Sequence, residues 1–165
     1  MAMVIVALGA NLPSRLYGEP AQTLGQVVAR LADCSLAVRR CSRWYVSPPW
    51  PPSGQPWYVN GVVLCESVAS PERILTDLHR LEAELGRQRL HPNQARALDL
   101  DLIDYGGRVA LAGSWPLLPH PRLADRAFVL HPLADVAPDW RDPRDGRSLD
   151  QLLADLDPAS ICMPL

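Results

Sequence analysis

An uninterrupted apolar run from Met3 to Leu8 is closed by Gly9-Ala10-Asn11, which is the pattern of a buried strand ending in a turn. From about Ala21 to Ala32 the apolar positions Leu24, Val27, Val28 and Leu31 recur at helical spacing and predict one buried stripe. Two strand-like stretches follow, Leu36 to Val46 and Trp57 to Glu66. Between them lies Ser47-Pro48-Pro49-Trp50-Pro51-Pro52-Ser53-Gly54-Gln55-Pro56, whose five prolines remove ladder donors and exclude a strand interior. Ser70-Pro71 is a helix start, with Ser as N-cap and Pro in the first turn. That helix is expected to run to about Leu85, with Ile74, Leu78, Leu81 and Leu85 as its inner face and Gly86 as its stop. A polar loop from Arg87 to Arg96 leads to a further strand, Leu98 to Tyr105, ended by Gly106-Gly107. The remainder is punctuated by proline, with short helical pieces expected near 122–126 and 149–155.

Strand, helix, strand, strand, helix, strand, then a tail, is the βαββαβ order of an α+β, ferredoxin-like sandwich: a mainly antiparallel sheet with helices packed on it. No repeat or linker divides the chain, so residues 1–165 are expected to form a single domain. A chain of this size buries roughly two thirds of its unfolded surface without a staple.

The four cysteines, Cys34, Cys41, Cys65 and Cys162, show neither a Cys-x-x-Cys pair nor metal-ligand spacing with the histidines, and read as small buried hydrophobes in a reducing compartment. The N-terminal run lacks a positive flank and is too short for a signal peptide or a spanning helix, so a cytoplasmic protein is expected. The formal net charge is −2, and no block of like charge marks a nucleic-acid or membrane partner. All 16 basic residues are arginine. A Walker A loop needs its lysine, so any phosphate here must be held by arginine forks, backbone amides and a metal.

Four groups of residues stand where packing alone would not put them. On the strand at Leu98-Asp99-Leu100-Asp101-Leu102 the leucines share one face, and Asp99 and Asp101 project together from the other, about 7 Å apart. A hard cation such as Mg²⁺ would relieve their repulsion. Two solvated acids on a half-exposed strand make the same pattern, and spacing does not separate the readings. Glu82 falls on the edge of its helix's apolar stripe, one turn after His79, and a carboxylate placed there calls for a partner. Arg87, Arg89 and Arg96 bracket the loop before the acids, and Arg122 and Arg126 follow His120. Trp50 and Trp57 sit in the proline-rich loop, where large rings more often form a lid or a platform for a flat ligand.

Taken in order, the runs Gly9-Ala10-Asn11-Leu12, Trp44-Tyr45-Val46-Ser47-Pro48-Pro49, Gln55-Pro56-Trp57-Tyr58-Val59-Asn60, Leu81-Glu82 with Gly86-Arg87-Gln88-Arg89, Arg96-Ala97-Leu98-Asp99-Leu100-Asp101-Leu102, Pro119-His120-Pro121-Arg122-Leu123 and Arg126-Ala127-Phe128-Val129-Leu130 closely resemble the hydroxymethyldihydropterin pyrophosphokinases of folate synthesis. The resemblance spans roughly residues 3 to 150. It implies transfer of pyrophosphate from ATP to 6-hydroxymethyl-7,8-dihydropterin, with two Mg²⁺ ions held by Asp99 and Asp101. It implies ATP contacts at His79, Glu82, Arg87, Arg96, Leu102, His120 and Arg126, with Arg87, Arg96, Asp99 and Asp101 serving catalysis. The pterin would lie between Tyr58 and Phe128, read by Asn60 and by groups near Ser47, Pro48 and Trp50, with Asp99 beside it. A monomer acting on these two small molecules, without nucleic acid or membrane, is expected.

Three positions depart from the family's usual pattern. Pro92-Asn93-Gln94-Ala95-Arg96 stands where Arg-Trp-Gly-Pro-Arg is common, Ala10 replaces a serine, and His79 takes the place of another polar residue. Readings of other classes are a non-catalytic ferredoxin-like ligand-binding module, which lacks the paired aromatics and positive charge of an RNA-binding sheet, and a metal-dependent phosphohydrolase built on the same acids.

Overall fold

The computed structural model of the chain describes residues 1–85 and 95–165. The expected order is present with one strand more between the helices: β1 (Ala2–Ala10), α1 (Pro20–Arg30), β2 (Ala37–Cys41), β3 (Tyr45–Ser47), β4 (Tyr58–Ser67), α2 (Pro71–Glu84) and β5 (Asp99–Tyr105). Three more elements follow: α3 (Ala127–Val136), α4 (Leu149–Ala154) and β6 (Met163–Pro164). The sheet runs β5-β1-β4-β3-β6, with β2 also on β4, and every pairing is antiparallel. It is an α+β fold, as the pattern predicts.

Alternation along β1 sorts the core into two layers. Val4, Val6, Leu8 and Ala10 face α1 and α2, where they meet Leu24, Val27, Ile74, Leu78 and the leucines of β5. Ile5 and Ala7 face the opposite way, toward Val129, Leu130 and Leu133 of α3 and Leu149 and Leu152 of α4. Helices therefore cover both faces of the sheet. Ser70 caps α2 by accepting the Arg73 N–H, as expected, with Pro71 in the first turn.

The sequence pattern missed three features. The stretch read as one strand, Leu36 to Val46, is broken between β2 and β3. At the break Ser42 substitutes for the ladder, its N–H donating to the Val62 carbonyl (3.0 Å) and its hydroxyl accepting the Val62 N–H (2.9 Å). Trp44 then lies against Gly61, where any Cβ would overlap the indole. The second feature is α3. Pro132 removes the N–H that would bond the Phe128 carbonyl, so the segment reads as proline-punctuated, yet Ala127, Val129, Leu130, Leu133 and Val136 are all buried. The piece expected at 122–126 is a single 3₁₀ turn, Leu123–Asp125, leading into this helix. Third, β6 at the tail pairs with Tyr45 and Val46, and the Leu165 N–H reaches the Trp44 carbonyl.

Of the cysteines, Cys34 and Cys65 are buried as expected, whereas Cys41 is exposed and Cys162 half-buried; all four are free thiols. Among the described residues no helix is long and apolar enough to cross a membrane.

The pairing of β1 with β5 contains one irregularity. Ala7 pairs with Asp101 and Val6 with Leu102, but Ile5 pairs with Asp104, so Ile103 is an extra residue in β5. Ile103 and Asp104 consequently both lie on the α3 side of the sheet, as a bulge requires.

Candidate active site

The strand register builds a row of residues across the end of the sheet where α3 begins. Gly9 of β1 pairs with Asp99 on one side and with Asn60 on the other, and Asn60 pairs with Tyr45. Directly paired positions share a face, so Asp99, Gly9, Asn60 and Tyr45 all point toward the α3 layer, with Asp101 two residues along from Asp99. Gly9 leaves no side chain between the acid and the amide. A Cβ there would lie 3.2 Å from Asn60 Oδ1 and 3.9 Å from the Tyr58 ring.

Each aspartate meets an arginine. Arg96 Nη1 is 3.1 Å from Asp99 Oδ1, and Arg126 Nη1, from the N-cap residue of α3, is 2.9 Å from Asp101 Oδ2. The Arg126 guanidinium also lies over the Phe128 ring, 5.5 Å from its centroid. His120 brings Nε2 to 4.0 Å from Asp101 Oδ2, while its Nδ1 accepts the Arg122 N–H. Burial lowers the His120 pKa below 6.5; Asp101 opposes that shift, and Arg126 and Arg122 add to it. The ring is therefore held in its neutral form. For Arg96, burial opposes the charge, and Asp99, Tyr58 and Asp101 together outweigh it.

The other wall is polar and apolar in turn. Buried Asn60 donates from Nδ2 to Ser47 Oγ at 2.8 Å, leaving the carbonyl end of its amide beside Gly9. Pro48 is half-buried beside it, and Tyr58 and Phe128 are both partly exposed at the margins. Trp50 is 74% and Trp57 45% exposed, as expected of rings carried on a projecting loop.

Glu82 is 1% exposed and accepts the Leu100 N–H at Oε1, 2.7 Å away. β5 is an edge strand, so this N–H points away from β1; the carboxylate covers it between the two aspartates. Leu102 packs its side chain into the α1/α2 layer, on the side of β5 opposite the acids, so any ligand contact from it would be through the main chain. His79 stands half-buried on α2, one turn before Glu82. Arg87 and Arg89 lie outside the described residues, as do Pro92, Asn93 and Gln94.

Sequence reasoning did not assign a role to Asn11. Its Oδ1 accepts the Arg96 N–H at 2.8 Å, and its Nδ2 donates to Gln55 Oε1 and the Pro56 carbonyl, both at 3.1 Å. The Arg96 carbonyl in turn accepts the N–H groups of Asn11 and Leu12. One buried amide thus fastens the arginine segment to the proline-rich loop. The signal for it was an asparagine directly after a strand-ending Gly-Ala.

Among the described residues no group of three or more His, Cys, Asp or Glu side chains could close around a metal. Two carboxylates on one face of β5 suit Mg²⁺, which keeps much of its shell outside the protein. They do not suit zinc, which takes nitrogen and sulfur ligands.

The family model for 7,8-dihydro-6-hydroxymethylpterin-pyrophosphokinase matches residues 5–138, and so contains the whole row from Asp99 to Tyr45 together with Glu82, His120 and Arg126. The chain belongs to that family. Members similar to it include the 2-amino-4-hydroxy-6-hydroxymethyldihydropteridine pyrophosphokinase of Synechocystis, 42% identical over 93% of this chain and 75% of the relative. The enzyme of the same name from Pseudomonas aeruginosa is 40% identical over 92% of this chain and 90% of its own length. Among solved structures, the Plasmodium falciparum HPPK-DHPS A437G crystal structure with pteroate superposes on 93% of this chain with a TM-score of 0.66 at 10% identity. The wild-type Plasmodium protein gives 0.67. The chain spans 42–44% of those two-part proteins, and at such low identity the likeness is one of fold.

Proposed function

We propose that this pyrophosphokinase family member transfers the β,γ-diphosphate of ATP to the hydroxymethyl oxygen of 6-hydroxymethyl-7,8-dihydropterin. The products are AMP and the pterin methyl diphosphate. The observation that carries the reading is the row Asp99, Gly9 and Asn60: a charged end for metal and phosphate, a glycine with no side chain between, and an amide able to read a heterocycle's edge. We place the enzyme in the cytoplasm as a monomer acting on small molecules.

In the reaction the pterin oxygen forms a bond to the β-phosphorus while the bond from that phosphorus to the α,β-bridging oxygen breaks, and the hydroxyl proton passes to solvent. Mg²⁺, two ions in the full complex, would be held by Asp99 and Asp101 and would neutralise phosphate charge and acidify the hydroxyl. The chain's own contribution is position and charge. Arg96 and Arg126 neutralise the two carboxylates in the ligand-free state, and with nucleotide bound their forks turn to phosphate oxygens. Such preorganised donors are worth roughly 3–4 kcal/mol each in the transition state. Neutral His120 donates a hydrogen bond without adding charge. Asn60, fixed by Ser47, presents its amide to the pterin, and Tyr58 and Phe128 flank the ring. Glu82 holds β5 at Leu100 so that both acids keep their spacing, and His79, Arg87 and main-chain groups of Leu102 complete the nucleotide site.

The test is an incubation with ATP, Mg²⁺ and hydroxymethyldihydropterin, with nucleotides resolved by chromatography. AMP formed only when pterin is present is the expected result. ADP or free phosphate would instead identify a phosphohydrolase, and no turnover a binding module. Asp101→Ala should abolish AMP formation while leaving the circular dichroism spectrum unchanged.

A further inference from the structure

Asp142 lies in the loop between α3 and α4 and is 0% exposed, yet it belongs to neither wall of the proposed site. Arg144, two residues on, meets its carboxylate through Nε at 2.9 Å, through Nη2, and through its backbone N–H at 2.9 Å. The third guanidinium nitrogen leaves the loop: Nη1 donates to the Pro121 carbonyl at 3.3 Å, 23 residues back in the chain. That carbonyl and the Arg122 N–H belong to one planar peptide unit, and the N–H donates to His120 Nδ1 at 3.1 Å. The His120 backbone is fixed separately, its N–H donating to the carbonyl of the bulge residue Ile103 at 2.8 Å.

We infer that Asp142 and Arg144 are a positioning pair for His120, acting through the peptide unit between Pro121 and Arg122; the inference rests on the reading of His120 as part of the nucleotide site. In a trans peptide the carbonyl and the N–H point in opposite directions, so a donor that grips one sets the aim of the other. Arg144 holds the plane from the side away from the imidazole and keeps the Arg122 N–H on Nδ1. An imidazole whose Nδ1 accepts carries its proton on Nε2, and Nε2 is the nitrogen 4.0 Å from Asp101 Oδ2. The ring thus turns a donor, rather than a lone pair, toward the place proposed for phosphate. Pro119 and Pro121 supply no N–H, so an anchor from outside the segment has carbonyls to hold. The planar guanidinium suits this task, since one edge stays on the buried carboxylate while Nη1 reaches the distant carbonyl.

The test uses the ligand-free protein with ¹⁵N-labelled histidine at about pH 8, where an ordinary imidazole is neutral. The His120 ring signals in a long-range ¹H–¹⁵N correlation, assigned by their loss in His120→Gln, should show the Nε2–H tautomer. Arg144→Ala should draw the two ring-nitrogen shifts toward each other as the second tautomer fills, and should raise the dissociation constant for a non-hydrolysable ATP analogue about three- to tenfold. Asp142→Asn/Arg144→Ala leaves no orphaned carboxylate and should give the same changes even where the single variant folds poorly. Arg147→Ala removes an arginine of the same loop that is bonded to Asp145 and Asp155, and should match the parent in both readouts. The inference is overturned if the parent ring is not in the Nε2–H form, if both Arg144 variants keep the parent's shifts, if Arg147→Ala moves them as far, or if the ring changes while nucleotide affinity does not. The ring shifts are read without substrate, so a failed AMP assay would sink the proposed reaction and leave the positioning pair to be judged on its own.

Discussion

The Tyr45 hydroxyl sits between the two carboxylate oxygens of Asp135, 3.1 Å from one and 3.0 Å from the other. Tyr45 belongs to β3, beside Asn60 on β4, and Asp135 belongs to α3, the helix that begins with Phe128 in its first turn. Arg43 grips the same carboxylate through its backbone N–H and its guanidinium. The hydrogen bonds of Arg43 and Tyr45 hold the Asp135 pKa down against burial, so the carboxylate stays charged. This contact ties one wall of the proposed pterin slot to the other. Tyr45→Phe is expected to raise the KM for pterin about five- to tenfold, the equivalent of one hydrogen bond of about 1 kcal/mol, with kcat changed less than about twofold. Steady-state kinetics at saturating ATP separate the two constants; equal losses in both would mean the bond serves stability alone.

Gly9 gives a sharper test of the slot. Its backbone is not in the left-handed region, so Gly9→Ala introduces no strain of that kind, and the new methyl meets Asn60 Oδ1 at 3.2 Å. The melting temperature should change little while the dissociation constant for pterin rises at least about tenfold. Calorimetric titration with pterin and a non-hydrolysable ATP analogue reads this directly, and unchanged affinity would move the ligand away from the row.

Removing the Glu82 carboxylate should destabilise the fold as well as the site. Glu82→Leu leaves the Leu100 N–H buried without an acceptor, a loss of about 2–3 kcal/mol, whereas Glu82→Gln keeps an oxygen and should lose much less. Urea denaturation of the two variants measures the difference.

Asp104 predicts a pH dependence of opposite sign to most carboxylates. Burial raises its pKa above the ordinary 3.8, and the Trp140 indole and the backbone at Tyr105 and Gly107 pull it only part of the way back. The folded state therefore holds this proton more tightly than the unfolded chain does. Stability from it is complete below the unfolded value and is lost as pH rises through the raised one. Asp104→Asn should remove that decline, so its melting temperature should gain on the parent's as pH goes from about 4 toward neutrality. Thermal unfolding across that range checks it; a constant offset would contradict the assignment.

The alternation Leu98-Asp99-Leu100-Asp101-Leu102 was enough to place both acids on one face, because period two on a strand leaves no freedom about which side a residue takes. Glu82 was legible for the same reason at helical period. What could not be read was anything set by partners distant in the chain. The break at Ser42 depends on Val62, and the role of Asn11 depends on Arg96, Gln55 and Pro56. For α3, Pro132 carried the signal of a breaker, and the burial of Val129, Leu130 and Leu133 against the sheet overrode it. Phe128 found its place in the proposed slot only through family resemblance; the helix that carries it was not foreseen.

The supernumerary Ile103 separates β5 into two lengths that answer to different neighbours. Upstream of it, each side chain is bound to the alternation that aims the acids. Downstream, that phase is inverted, so Asp104 turns toward α3 and Tyr105 toward the α1/α2 layer without disturbing the aim of Asp99 or Asp101. A single strand can in this way hold two opposite facings, one for the proposed metal-binding acids and one for the far end of the sheet, joined by one residue.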